Sequence, residues 1–372
     1  MSTRIRNKKF RNKLLILIIL FLFLVILSAC GPAATEEPAA PAEEPAAPGE
    51  PTESVPSEEQ YPVQYGQDSR TELFQHTDVR LRDMAASVGV FVQSEQIKVS
   101  KDVVTLNGYT LNEMSELGWL VKNTSAPMCS GELFTSQPAP GFCTGFLIED
   151  DVLVTAGHCL QKVSCSDTSV VFDFYMESNN STATISSDSV YRCAEVLAQA
   201  IPSQANQNLD YAIIKLDRPT GRPVIDYDLE TQLKAQTKVA VIGYPSGLPL
   251  KIASDAVVTS NEVDEPFFVT NLDTFGSNSG SPVINTDTYL VEGILVRGAN
   301  DYVLSNDQTC IQVNRCPEGG NETCSGENAT KMAVVAESIP DNAVPKPNNV
   351  NCFPNLALIV ITLAFSRPKS TH

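Results

Sequence analysis

Histidine and positive charge are scarce in this 372-residue sequence, and it lacks any apolar run long enough to cross a bilayer comfortably. Its three histidines, His76, His158 and His372, are far apart, so a zinc site has little support and no metal is expected. Lys and Arg total 26 against 44 Asp and Glu, a formal net charge of −18. Nucleic acid is therefore excluded as an expected partner, because phosphate binding calls for a basic face. The longest apolar stretch, Leu14 to Ala29, covers 16 residues, short of the ~20 that span a bilayer.

The N-terminus carries an address. Arg4, Arg6, Lys8, Lys9, Arg11 and Lys13 precede the apolar run, which ends in Leu27-Ser28-Ala29-Cys30. This is the layout of a secretory signal. Its last four residues resemble the bacterial lipobox, and that resemblance implies cleavage before Cys30, acylation of its thiol, and a lipid-anchored, extracytoplasmic place in the bacterial cell envelope. The other reading is an uncleaved anchor helix; either one tethers the chain to a bilayer and exports the rest. Without the six basic residues the charge falls from −18 to about −24.

The expected organisation is a signal over 1–29, an acidic linker over 30–60, a folded domain over 61–340 and a tail over 341–372. The linker is Pro, Ala and Glu with hardly a large apolar residue, so it cannot offset chain entropy by burial and acts as an extended spacer. The tail holds Leu356–Phe365, too short to span alone; it is a terminal strand packed on the body or a membrane-associating segment.

Within 61–340, short β-rich segments separated by Gly, Pro, Asn, Asp and Ser dominate. They include Ser87–Val92, Thr144–Ile148, Val152–Thr155, Ser169–Tyr175, Tyr211–Leu216, Lys238–Tyr244, Phe267–Thr270, Pro282–Ile284 and Leu290–Val296. No strand and long-helix rhythm is present, which favours an all-β barrel or sandwich over a parallel α/β fold. Helix is expected only near Asp78–Ala86 and Leu111–Leu117. Ten cysteines in an exported chain point to disulfides. With Cys30 lipidated nine remain, so at least one is free or paired between chains.

Three segments carry chemistry. In Phe142–Cys159, two apolar strands joined by an acidic turn deliver His158, with Cys143 before the first strand and Cys159 just after the histidine. A hairpin brings these cysteines together, and a bridge across that loop contributes roughly 3 kcal/mol while fixing the backbone beside a general base. In Gly276–Ile284, serines among small residues form a tight turn before a buried strand, a setting that exposes a hydroxyl and lets backbone N–H groups converge. In Asn208–Leu216, Asp210 stands immediately before a buried strand, whereas Asp217, at its far end, reads as a turn residue before Arg218-Pro219.

Thr155-Ala-Gly-His-Cys159 closely resembles the histidine motif of chymotrypsin-like serine peptidases, and Ser277-Asn-Ser-Gly-Ser-Pro282 the nucleophile motif of their glutamyl-endopeptidase branch. The resemblance implies two packed six-stranded antiparallel β-barrels with few short helices, and a serine endopeptidase acting on protein or peptide substrates without a cofactor. It assigns His158, Asp210 and Ser279 as the triad, in the chain order of that class, and the N–H groups of Ser277 and Ser279 as the oxyanion hole. The Cys143–Cys159 pair matches the one that brackets the histidine there. Cys165 with Cys193 suits a second hairpin, and Cys129, Cys310, Cys316 and Cys324 are expected to pin an added loop.

The sequence also departs from the family. Ser277 replaces the usual glycine, so its peptide is at risk of being flipped. That leaves room for a second reading, a catalytically weak or inactive envelope binding module. Asn278 stands where trypsin and its relatives carry the Asp that binds a freed N-terminus, so activation needs another device. Tyr65-Gly-Gln-Asp-Ser-Arg70 resembles the start of the mature domain in the glutamyl-endopeptidase branch. For the specificity pocket, Asp273 holds the place of the trypsin selector for Arg or Lys, but Asp273-Thr-Phe-Gly276 also resembles some acid-selective members, in which case Asp273 does not line the pocket, and Arg297 would favour acidic side chains. Substrate preference stays open.

Overall fold

In the computed structural model the β-rich segments close into two six-stranded antiparallel barrels; the structure describes residues 65–202, 208–229, 233–317 and 324–340. The leader, the linker and the 341–372 tail, with Cys30 and Cys352, lie outside the described residues.

The first barrel comprises β1 (Val88–Gln93), β2 (Cys143–Glu149), β3 (Val152–Thr155), β4 (Thr168–Val171), β5 (Val190–Ala200) and β6 (Tyr211–Leu216). Its ring runs β5-β6-β3-β2-β1-β4 and closes on β5. The second comprises β7 (Lys238–Gly243), β8 (Lys251–Ser260), β9 (Phe267–Thr270), β10 (Pro282–Asn285), β11 (Val291–Arg297) and β12 (Glu327–Lys331). Its ring runs β8-β7-β10-β11-β12-β9 and closes through the β8–β9 pairing.

β1, β2, β3 and β6 read as nearly unbroken apolar runs because both of their faces are covered. β3 is buried at every residue, as are five of the six residues of β6. Phe91, Phe146, Leu147, Leu153, Ile213 and Ile214 are fully buried, each contributing roughly 1.5–3 kcal/mol. The same core continues into the second barrel through Ile242, Tyr244, Ile252 and Ile294. Tyr244 pins the two together: its ring stacks on Phe174 at 6.2 Å and its hydroxyl donates to the Val88 carbonyl at 3.1 Å.

Three of the barrel strands have no counterpart among the expected segments. β5 has much of its length exposed or half-buried, so it carries little apolar signal. β8 begins on Lys251, a charged residue that is nonetheless buried, and β12 reads Glu-Asn-Ala-Thr-Lys. Conversely, the expected Ser169–Tyr175 strand stops at Val171. Asp173 turns the chain with φ 64° and forms a paired hydrogen bond with Arg222. The two expected helices are present, as Val79–Met84, capped by Asp78, and Leu111–Glu116, opened by a Thr110/Glu113 capping box.

Cys143–Cys159 and Cys165–Cys193 are bridged as expected, and Cys129–Cys310 and Cys316–Cys324 complete the set among the described residues. The Cys129–Cys310 bridge ties the segment between β1 and β2 to the hairpin Tyr302–Val313. Together with Leu248 and Phe275 these form a satellite core of Leu111, Tyr302 and Ile311. The N-terminal strand Arg70–Glu72 adds to β8, with Arg70 opposite Ala253. There Glu72 pairs with buried Lys251 at 3.0 Å, and the Lys251 ammonium also donates to Gln137 at 2.9 Å.

Candidate active site

His158 is delivered by the end of β3. Gly157 is obligatory beside it, because a Cβ there would lie 2.0 Å from the Ala200 carbonyl oxygen and 2.7 Å from that of Tyr211. The Cys143–Cys159 bridge holds the next residue. Asp210, buried just before β6, takes the His158 backbone N–H on one carboxylate oxygen at 3.0 Å and meets Nδ1 of the ring with the other at 2.8 Å. In that tautomer Nδ1–H donates to the carboxylate and Nε2 keeps its lone pair. The second barrel reinforces Asp210, since Thr330 Oγ1 on β12 donates to its main-chain oxygen at 2.9 Å.

Ser279 comes from the opposite barrel, on the turn before β10. Its carbonyl accepts the Thr144 N–H at 2.9 Å, beside the disulfide that flanks His158. Gly280 makes this approach possible. Its φ is +93°, and an added Cβ would lie 2.0 Å from the Thr144 carbonyl oxygen and 2.3 Å from Thr155 Oγ1. Gly280→Ala is accordingly expected to destabilise the domain by roughly 3 kcal/mol, measurable by urea unfolding. No hydrogen bond joins Ser279 Oγ to His158 among the described residues; such nucleophile–base contacts commonly tighten only when substrate binds.

Backbone N–H groups around Ser279 are used selectively. Those of Gly276, Asn278, Gly280 and Ser281 donate to Asp301 Oδ2 (2.6 Å), Phe275 O (3.0 Å), Leu295 O (2.7 Å) and Asn278 O (2.9 Å). Those of Ser277 and Ser279 donate to no group among the described residues. Ser277 has φ 69°, a left-handed conformation that costs a non-glycine residue on the order of 1–2 kcal/mol. Its peptide is nevertheless held. The Gly276 carbonyl accepts from Ser246 N, so the trans peptide sends the Ser277 N–H the other way, and the Ser277 carbonyl accepts from Thr144 Oγ1 at 2.8 Å. Thr144 thus clamps both ends of the nucleophile turn, a role that nothing in the sequence around it signals.

The family model of the trypsin-like peptidase domain matches residues 143–294, from the first cysteine of the histidine hairpin past the serine turn. The chain carries a trypsin-like peptidase domain. Glutamyl endopeptidase of Bacillus licheniformis is 31% identical to it over 156 residues, which is 38% of this chain. The chain spans 45% of the length of that relative. Among solved structures, a Glu endopeptidase in complex with MPD gives a TM-score of 0.41 at 19% identity, covering 76% of this chain and 99% of that one. The Vibrio cholerae VesB protease gives 0.41 at 14%, covering 68% and 62%.

In the peptidase domain a cleft of 590 Å³ opens beside Ser279, walled by Thr274–Gly276 on one side, Leu295 and Arg297–Tyr302 on another, and Leu120–Lys122 of the added segment. Arg297 lines it. Asp273 does not: its carboxylate turns away to accept from the backbone N–H groups of Tyr65 (2.9 Å) and Ser69 (2.7 Å) and from the Ser69 hydroxyl (2.7 Å). The placing of Asp273 in the specificity pocket is therefore corrected: of the two alternatives left open for it, the structure has the one in which its carboxylate stays out of this cleft and faces the N-terminal segment. Buried Asn278 makes no ion pair; it packs against Gly243, where a Cβ would lie 2.6 Å from its side-chain oxygen.

Two carboxylates unnoticed in the sequence line the cleft instead. Asp301 accepts from Gly276, and burial, partly offset by that hydrogen bond, pushes its carboxyl up to about 6. Glu327, buried at the start of β12, accepts from Thr274 Oγ1 and from Ala299 N. Burial, opposed by the Thr274 bond and assisted by the charges of Asp301 and Asp273, pushes it up to about 8.

Proposed function

We propose that this chain is a serine endopeptidase, lipid-anchored at Cys30 and working outside the cytoplasm of a bacterial cell. Ser279 Oγ attacks the scissile carbonyl, His158 Nε2 takes its proton and returns it to the leaving amine, and Asp210 orients the imidazole and stabilises its protonated form. The N–H groups of Ser277 and Ser279 hold the oxyanion. The observation that carries this reading is the pair of undonated N–H groups on a turn whose neighbouring N–H groups are all engaged, next to a histidine already paired to a buried carboxylate.

The lipobox-like Leu27–Cys30 segment and the acidic linker support the location. They place the peptidase domain on a tether of about 30 residues, able to reach protein or peptide substrates near the bilayer. A catalytically weak binding module is the second reading, favoured by the left-handed Ser277 and by the unmade Ser279–His158 bond. An organophosphonate serine probe separates the two: the purified protein should be labelled, and labelling should vanish in Ser279→Ala and in His158→Ala. Labelling that survived both changes would end the triad assignment.

A further inference from the structure

The lining of the cleft beside Ser279 includes a buried carboxylate, Glu327. Glu327 bridges two walls, taking the hydroxyl of Thr274 on one and the N–H of Ala299 on the other. Gly298 lies directly against it, since a Cβ at that position would fall 1.9–2.3 Å from the carboxylate atoms. Any larger residue at 298 would displace the acid, so glycine there and Glu327 form one construction. Asp301 lines the same cleft.

Resting on the peptidase reading above, we propose that Glu327 is the specificity-determining residue of this cleft and selects a lysine or arginine side chain on the substrate residue whose carbonyl Ser279 attacks. A long cationic side chain reaches the buried carboxylate with its charged end while its methylenes line the walls. The resulting charge-assisted hydrogen bond forms out of water, where it is strongest.

An acidic side chain would bring a third carboxylate toward Glu327 and Asp301. Its available counter-charges are Lys122 and Arg297. Arg297 is largely committed, donating through Nη2 to the Asn208 carbonyl at 3.0 Å and lying 5.3 Å over the Phe267 ring. Its Nε–H is buried and without a partner, and is the feature by which an acidic side chain would instead be held.

The charged and titratable groups around Glu327 are Asp273, Asp301 and the Tyr65 phenol, with Arg297 and Lys122 on the cleft walls. Its carboxyl sits at about 8, so it is largely neutral below that pH and charged above it. Selectivity for a basic over a neutral side chain should then rise with pH through about 8. His158 serves both substrates alike and cancels in the ratio.

The test uses the detergent-solubilised full chain and peptides differing only at the residue before the scissile bond: Lys, Arg, Gln, Met or Glu. The kcat/KM ratio of Lys or Arg to Gln should be about 10–100, should climb with pH, and should fall at least tenfold in Glu327→Gln. Phosphonate labelling checks that the variant is folded; should it not fold, the pH dependence of the wild-type ratio decides by itself. Preference for Glu or for a neutral residue, or a ratio untouched by Glu327→Gln, would overturn the assignment while leaving the peptidase reading intact. Absence of both cleavage and labelling would overturn the two together.

Discussion

Ser279→Ala should lower peptide hydrolysis by at least ~10³-fold in kcat, with KM changed little, and His158→Ala should do the same. The double variant should be scarcely worse than either single one. A hydroxyl and an imidazole that act as one unit cannot each remove an independent share of the barrier. The residual rate should reflect what the Ser277 and Ser279 N–H groups contribute alone, a contribution of roughly 3–4 kcal/mol in oxyanion sites generally. Steady-state kinetics on the three variants, with the phosphonate probe as a count of competent sites, checks this. Additive losses would mean that His158 and Ser279 do not work on the same proton.

Stability should decline as the pH is raised from 5 to 8, and Glu327→Gln should remove most of the decline. The carboxyl of Glu327 is raised from 4.5 to about 8, by burial above all. An acid whose folded pKa exceeds its unfolded value stabilises fully below the unfolded value. It loses that contribution as the pH rises through the folded one. Over this interval the loss is on the order of 3–4 kcal/mol. Asp301, raised from 3.8 to about 6, acts in the same direction. Lys251 acts oppositely but later. Burial, opposed by Glu72, lowers it from 10.5 to about 8, so its contribution changes only above that pH. His76, which burial lowers, also acts oppositely within this window; it is common to both proteins, so urea unfolding of wild type and Glu327→Gln between pH 5 and 8 isolates the acid, and identical profiles would remove the charge-burial account of this cleft carboxylate.

These two results probe different layers of information. The residues of the proposed triad are legible because each lies in a short segment whose local demands are written beside it. Gly157 lets two carbonyls crowd His158, Gly280 supplies a positive φ next to Ser279, and Asp210 directly precedes an apolar strand. The Cys143–Cys159 and Cys165–Cys193 bridges are legible for a related reason. They close loops of 16 and 28 residues, within reach of a hairpin. Both capped helices follow from side chains within three residues of their first turn.

The specificity pocket required the tertiary structure. Asp273 stands at the expected distance along the chain from Ser279, yet its acceptors are taken by Tyr65 and Ser69, 208 and 204 residues away. The cleft is lined instead by Glu327, which reaches Thr274 across 53 residues. Thr144 likewise clamps Ser277 across 133. The sequence by itself determined the barrel class and singled out the groups proposed to carry the chemistry, because local backbone constraints and apolar periodicity are properties of neighbouring residues. The tertiary structure alone decided which carboxylates line the cleft beside Ser279, because a side chain's charge state and direction depend on partners brought close only when the barrels and the N-terminal strand pack.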